Sequence, residues 1–319
     1  MGLMSKHAYL LIAHNKFEQL SLLISLLDDY RNDIFILIDK KSKLTDEIKS
    51  SLFKSAKNSY IQIYHDKDIS WGDYSQIKAE MELFKAANEH GTYSYYHLLS
   101  GQDLPIQNQN YIHTFFDKHP NKIFLTIVPF ETFKKNKIMS RVKYHYKFIK
   151  YYSHSNPHKL ERIFFKLLEH INFIYQNLNG TAARRLKSLP KIGYSSNWIS
   201  LNEDAVNYIL SKHYEIYDIF KDSFLCDELF VPTILFNNQK YKNMIFYNTP
   251  SHDKPEELQG NLRYINWWDG SPYTWTDNDL NTIQRARELG HLFSRKFNLE
   301  SSPKLKEKIT FICKGQKTI

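Results

Sequence analysis

His7-Ala8-Tyr9-Leu10-Leu11-Ile12-Ala13 is an apolar run that stops at the polar pair His14-Asn15. It is too short for a buried helix and too uniformly apolar for a half-exposed strand, so it reads as a strand covered on both faces. Lys16 to Tyr30 has helical apolar spacing, and Ile34 to Ile38 is a second apolar run that ends at Asp39. Two buried strands joined by a helix imply a parallel pair, because a parallel crossover needs such a connection. The alternation continues with a helix over Leu44 to Ser55, a strand over Tyr60 to Tyr64 and a helix over Tyr74 to Glu89. Strands follow over Tyr93 to Leu99 and Phe124 to Val128. The expected fold class is α/β: a Rossmann-type, mostly parallel sheet flanked by helices. Ligands of such sheets lie beyond the carboxyl ends of the strands. His14, Asp39 and the segment from Ser100 therefore become candidate binding residues.

The middle of the chain departs from this pattern. Residues 133–190 are basic and aromatic-rich, and from Lys134 to Lys166 ten Lys or Arg face one acid, Glu161. They account for much of the net charge of +9, which favours phosphates, nucleic acid or anionic lipid as partners. Lys159 to Leu178 reads as an amphipathic helix with Leu160, Ile163, Phe164, Leu167, Leu168, Ile171 and Ile174 on one side. Packing of that side on the main domain is the plainer expectation. Contact with a membrane surface or a lipid-linked acceptor is the other.

Beyond the insertion the pattern returns to mixed α/β. Strands are expected at Trp198 to Leu201 and Arg263 to Trp267, and a helix at Glu203 to Lys212. Helices are also expected at Cys226 to Phe236, opened by Asp227 and Glu228, and at Thr276 to Leu289, with Thr276 as N-cap. Two cysteines, Cys226 and Cys313, make neither a disulfide framework nor a zinc site, which favours a reducing compartment. The first residues lack the pattern of a signal peptide. The expected location is cytoplasmic, with peripheral attachment at the inner face of a membrane as the accompanying possibility.

Neither a P-loop nor a Gly-rich dinucleotide fingerprint occurs. Two Asp-X-Asp triplets exist, Asp66-Lys67-Asp68 and Asp277-Asn278-Asp279. A lone triplet without further ligands is a weak metal site, and the second suits the start of a helix.

Several short motifs carry more weight together than singly. In order they are Ile12-Ala13-His14-Asn15-Lys16, Ile38-Asp39-Lys40-Lys41-Ser42, Ser70-Trp71-Gly72-Asp73-Tyr74-Ser75 and Tyr96-His97-Leu98-Leu99-Ser100-Gly101-Gln102-Asp103-Leu104-Pro105-Ile106. Ser196-Asn197-Trp198, Asp227-Glu228-Leu229-Phe230 with Thr233, Leu262-Arg263-Tyr264-Ile265-Asn266-Trp267 and Leu292-Phe293-Ser294-Arg295-Lys296-Phe297 complete the set. In this order and spacing the chain resembles the core-2/I-branching β-1,6-N-acetylglucosaminyltransferases and the related peptide O-xylosyltransferases.

The resemblance implies a GT-A-like fold and an inverting transferase that needs no metal. Residues 1–132 would form the nucleotide-sugar-binding half, 133–190 an insertion, and 191–319 the acceptor-binding and catalytic half of one domain. By the same resemblance Glu228 is the catalytic base. Ala13, His14 and Asp39 would take the uridine, and Trp71, Ser100 and Asp103 would approach the donor sugar. Arg295 and Lys296 would hold the diphosphate, with Arg263 as a further candidate. An Arg that the branching enzymes use upstream falls near Gly270 here. The implied donor is a UDP-sugar, N-acetylglucosamine before xylose, with no cofactor and no metal. The implied acceptor is a glycan or lipid-linked oligosaccharide in surface polysaccharide synthesis. Nucleic acid is not an expected partner. The competing reading is a nucleic-acid-binding protein that uses the 134–166 patch.

Overall fold

The computed structural model describes residues 5–152, 158–251 and 254–315. The opening run forms β1 (His7–Ala13), and the next strands are β2 (Asn32–Ile38), β3 (Tyr60–Tyr64) and β4 (Tyr95–Ser100). All three pairings among these four are parallel, with β1 beside both β2 and β4. The alternation of side chains along β1 divides the core. Ala8 and Leu10 join one apolar cluster, while Tyr9, Leu11 and Ala13 join the other. In β2, Phe35 and Leu37 go with the first, and Ile34, Ile36 and Ile38 with the second. Both faces of the sheet are therefore buried, as the continuous apolar runs require. The helix Phe17–Leu27 covers the second face with Leu20, Leu23, Ile24 and Leu27, a helical stripe.

The second half of the chain completes the same structure. After the short β5 (Leu104–Pro105) comes β6 (Ser200–Asn202), antiparallel to β4 with His97 opposite Ser200, giving the order β3-β2-β1-β4-β6. A second sheet has the order β5-β8-β7, where β7 is Arg263–Ile265 and β8 is Phe293–Arg295. Pairing of Leu104 with Ser294 brings the end of β8 under the Ser100–Asp103 turn. The expected α/β architecture, a mostly parallel central sheet flanked by helices, is the one observed.

Three expectations need correction. Phe124 to Val128 is not a strand: Phe124 makes a single bridge to Ser200, and the Thr126 amide donates to Ser195 Oγ (3.1 Å) instead of to a neighbouring strand. The helix expected from Cys226 begins at Phe230, because Cys226–Leu229 forms a turn in which the Asp227 side chain is held by Gln76 and Asn197. The largest correction concerns Lys159–Leu178, a helix over the expected residues. The side that packs on the protein is centred on polar residues, with Phe165, Leu168 and Phe173 partly buried beside them, and most of the expected apolar stripe faces outward. Glu169, Asn172 and Gln176 are buried, and Glu169 accepts from the amides of Lys147 (3.1 Å) and Phe148 (2.8 Å). Asn172 and Gln176 each donate to the His145 carbonyl at 2.9 Å. These side chains satisfy the backbone of an irregular loop that lacks ladder partners. Thr276, by contrast, caps as expected, in a reciprocal capping box with Asp279.

Candidate active site

The carboxyl ends of β1, β2 and β4 are tied together by the backbone. The Asp39 amide donates to the Ala13 carbonyl (3.0 Å), and the Gly101 amide to that of Ile12 (2.9 Å). This places Ala13, His14, Asp39 and Ser100 along one edge. Ala13 and Asp39 are buried, and His14 is exposed. Asp39 accepts from the Lys41 amide at 3.0 Å. Partial desolvation against the protein lowers the pKa of His14, Asp39 opposes this, and Lys296 adds to it, so the three side chains share one neighbourhood.

Arg295, at the end of β8, enters this edge from below. Its Nη1 donates to Ser100 Oγ (3.0 Å) and to Asp103 Oδ1 (3.1 Å), and its guanidinium lies 4.5 Å from the centroid of the Trp198 ring. Asp103 is fully buried and also accepts from the Ser100 amide at 2.8 Å. Burial raises its pKa, and Arg295 works against that. Lys296 is partly buried. Burial lowers its pKa, and the positive charges of Arg295 and Lys16 lower it further. Lys16 itself donates to Asn298. Three cations thus gather at the strand ends, and only Arg295 has a carboxylate partner among the described residues. Like charges held close together attract anions.

A second group of polar side chains adjoins the first through the segment Ser195–Trp198. Asn197 Nδ2 donates to Asp227 Oδ2 (3.3 Å), as does Gln76 Nε2 (3.0 Å). Burial raises the Asp227 carboxyl to about 7, with Glu228 adding to the rise and Arg141 opposing it. Glu80, fully buried nearby, is shifted up well above its ordinary value by burial and then by Asp227. Asp227 Oδ1 and Glu80 Oε2 both lack a hydrogen-bond partner among the described residues. Glu228 differs from both. It is partly exposed, and its Oε2 accepts from Arg141 Nη1 at 2.7 Å. Its main-chain carbonyl accepts from the Ser195 amide at 3.1 Å, which fixes the turn.

Trp71 is 42% exposed and edge-on to Phe224. Gly72, at φ +87°, makes that turn possible: a Cβ there would meet Phe224 Cε2 at 2.7 Å. The Gly72 carbonyl accepts from the Leu225 amide, so the Trp71 turn is tied to the segment that carries Asp227 and Glu228.

Arg263 leaves the set of phosphate candidates. It is fully buried, and its guanidinium donates to Ser200 Oγ (2.7 Å) and to the carbonyls of Ile199 (2.7 Å), Leu98 (3.3 Å) and Asn261 (2.5 Å). Burial pushes its pKa down to about 9. It cross-links β4, β6 and β7 and has no surface to offer a ligand. The Asp-X-Asp triplets have other employment as well. Asp66 and Asp68 pair with Lys67 and Lys41, while Asp279 serves the capping box and Asp277 accepts from the Leu305 amide at 2.8 Å.

A family model described as Core-2/I-Branching enzyme matches residues 7–287, nearly the whole described chain. The protein belongs to the core-2/I-branching enzyme family. No curated protein matches it. Among solved structures, mouse xyloside xylosyltransferase 1 in its apo form is 12% identical, with a TM-score of 0.37, over 92% of this chain and 99% of that one. Core-mannan synthase A from Aspergillus fumigatus, in an Mn/GDP form, is 15% identical, with a TM-score of 0.30, over 71% of this chain and 68% of that one.

Membership in this glycosyltransferase family implies a nucleotide-sugar donor and a glycan acceptor. For a core-2/I-branching protein, four side chains of the site were not evident from the sequence. Lys16 falls within the first motif, where nothing local marks it as a ligand-binding residue. Gln76, Glu80 and Arg141 lie on helices or in the insertion, far along the chain from Asp227 and Glu228. A helical Glu in register with apolar residues, as Glu80 is with Ile77, Phe84 and Ala87, was the available signal.

Proposed function

We propose that this family member is an inverting, metal-independent transferase that uses a UDP-sugar. N-acetylglucosamine is the first choice of sugar and xylose the second. The acceptor is a hydroxyl of a glycan or of a lipid-linked oligosaccharide, met at a membrane face during surface polysaccharide synthesis. The observation that carries this reading is the gathering of Lys16, Arg295 and Lys296 beside His14 and Asp39 at the ends of parallel strands. Departure of UDP leaves new negative charge on the diphosphate, and fixed cations can stabilise it where other enzymes use a metal ion.

In this reading Ala13, His14 and Asp39 take the uridine, and Lys296 with Lys16 binds the diphosphate. Arg295 is held by Ser100 and Asp103, so it meets the β-phosphate in a fixed orientation. Trp71 closes over the donor sugar. Glu228 accepts the proton of the acceptor hydroxyl as its oxygen attacks the anomeric carbon and the bond to UDP breaks on the opposite face. Arg141 orients Glu228 by holding one carboxylate oxygen. Asp227, with its raised pKa, is the structural member of the pair.

Release of UDP from UDP-N-acetylglucosamine and UDP-xylose, followed in excess EDTA, tests the proposal. Undiminished turnover is expected with one of the two donors. Loss of turnover in EDTA with rescue by manganese would contradict it.

A further inference from the structure

The Lys159–Leu178 helix shows its apolar side to solvent. Leu160 and Leu178 are each 83% exposed, and Ile163, Leu167, Ile171 and Ile174 between them are 48–57% exposed. These positions recur at helical spacing along a helix about 30 Å long, so they form one continuous stripe. Burial of Glu169, Asn172 and Gln176 fixes which side faces out. A contiguous apolar surface of this kind marks an interaction site.

Charge identifies the occupant. Residues 133–190 contain thirteen Lys and Arg against two acids, whereas the remaining positions hold thirty against thirty-two, from totals of 43 and 34. The segment that presents the stripe therefore carries the whole positive excess of the chain. Lys159 and Lys166 on the same helix are exposed, as are Lys147 and Lys150 in the segment that packs against it and Lys187 on the helix that follows. A second copy of the chain seated on the stripe would bring two such basic segments together. A nucleic acid would leave the leucines and isoleucines in water. Among the described residues no helix is long and apolar enough to cross a membrane.

We infer that the Lys159–Leu178 helix lies in the surface of an anionic lipid bilayer, apolar side down, with the surrounding lysines on the headgroups. Apolar burial and attraction to anionic lipid act together in such helices. The inference extends the reading of a membrane-side acceptor, and it is tested without any sugar transfer, so the two can fail separately.

The probe is co-sedimentation of the full chain with phosphatidylcholine vesicles, with and without phosphatidylglycerol. Binding is expected to the anionic vesicles and to be about tenfold or more weaker to the neutral ones. The double variant Leu167→Glu, Ile171→Glu should lower anionic-vesicle binding by about tenfold or more, with UDP binding and melting temperature unchanged. Lys159→Glu with Lys166→Glu is the second variant; it should also weaken binding, and it serves if the first does not fold. Equal binding by wild type and both variants would overturn the inference. So would absence of vesicle binding, whether accompanied by tight oligonucleotide binding or by a dimer in sedimentation velocity that the first variant dissolves.

Discussion

The strand-end cations are few and held in place. Arg295 is fixed by Ser100, Asp103 and the Trp198 ring, and Lys296 is partly buried between other positive charges. The cations of residues 133–190 are many and mostly exposed, and they stand beside an apolar stripe instead of a pocket. Net charge alone would have assigned function to the second region. Placement points the other way for chemistry: a fixed cation can meet a developing charge without reorganising, whereas a mobile one on a surface attracts only diffusely. Arg141 joins the two regions, since it belongs to the insertion yet pairs with Glu228.

Substitutions can break or sharpen this contrast. The largest expected effect is from Glu228→Gln, which should lower kcat by about 10²–10⁴-fold and leave UDP affinity unchanged. Initial rates and calorimetric titration would check both halves. Retained transfer would remove Glu228 as the base. Arg295→Ala comes next. It should slow turnover by about 10²-fold or more and also destabilise the fold by about 3 kcal/mol, because Asp103 is then buried without its partner. Urea unfolding reads the second effect.

Arg263→Met should separate a structural arginine from a binding one. Its loss should cost about 1–3 kcal/mol in urea unfolding, from the lost hydrogen bonds to buried oxygens, with UDP affinity unaltered in whatever protein remains folded. A selective loss of UDP affinity would return Arg263 to the site.

The smallest expected effect is a pH dependence. The folded-state pKa of Asp227, about 7, lies above the ordinary 3.8, so the native state holds the extra proton between those values. Its contribution to stability is present at low pH and declines as pH rises toward 7. Asp227→Asn should therefore gain in melting temperature relative to wild type from about pH 4 to 7 and level off above. The comparison with wild type matters because His7, His97 and His113 have lowered pKa values and act in the opposite sense, losing stability as pH falls. A pH-independent difference would contradict the assignment of a raised Asp227 pKa.

Much of the sheet was legible because continuous apolar runs such as His7–Ala13 and Ile34–Ile38 permit few other readings. Strand ends then located His14, Asp39 and Ser100 along one edge. What was not legible depended on tertiary partners. Nothing local distinguishes Arg263 from Arg295; one faces the carbonyls between β4 and β6, and the other the Ser100 turn. The periodicity of Lys159–Leu178 gave the helix and its stripe but not which side faces inward. That was decided by the irregular backbone at His145–Phe148, which has no ladder partners and drew in Glu169, Asn172 and Gln176. Arg141 was hidden among many basic neighbours in a segment whose charge pointed to the surface.

The most direct test of the account is calorimetric titration of UDP in excess EDTA against wild type, Lys296→Ala and Lys166→Ala. Wild type should bind without added metal. Lys296→Ala should bind at least about tenfold more weakly, in keeping with loss of a charge-assisted contact, and Lys166→Ala should match wild type. UDP binding that requires manganese, or that is indifferent to Lys296, would contradict the claim that fixed strand-end cations hold the diphosphate.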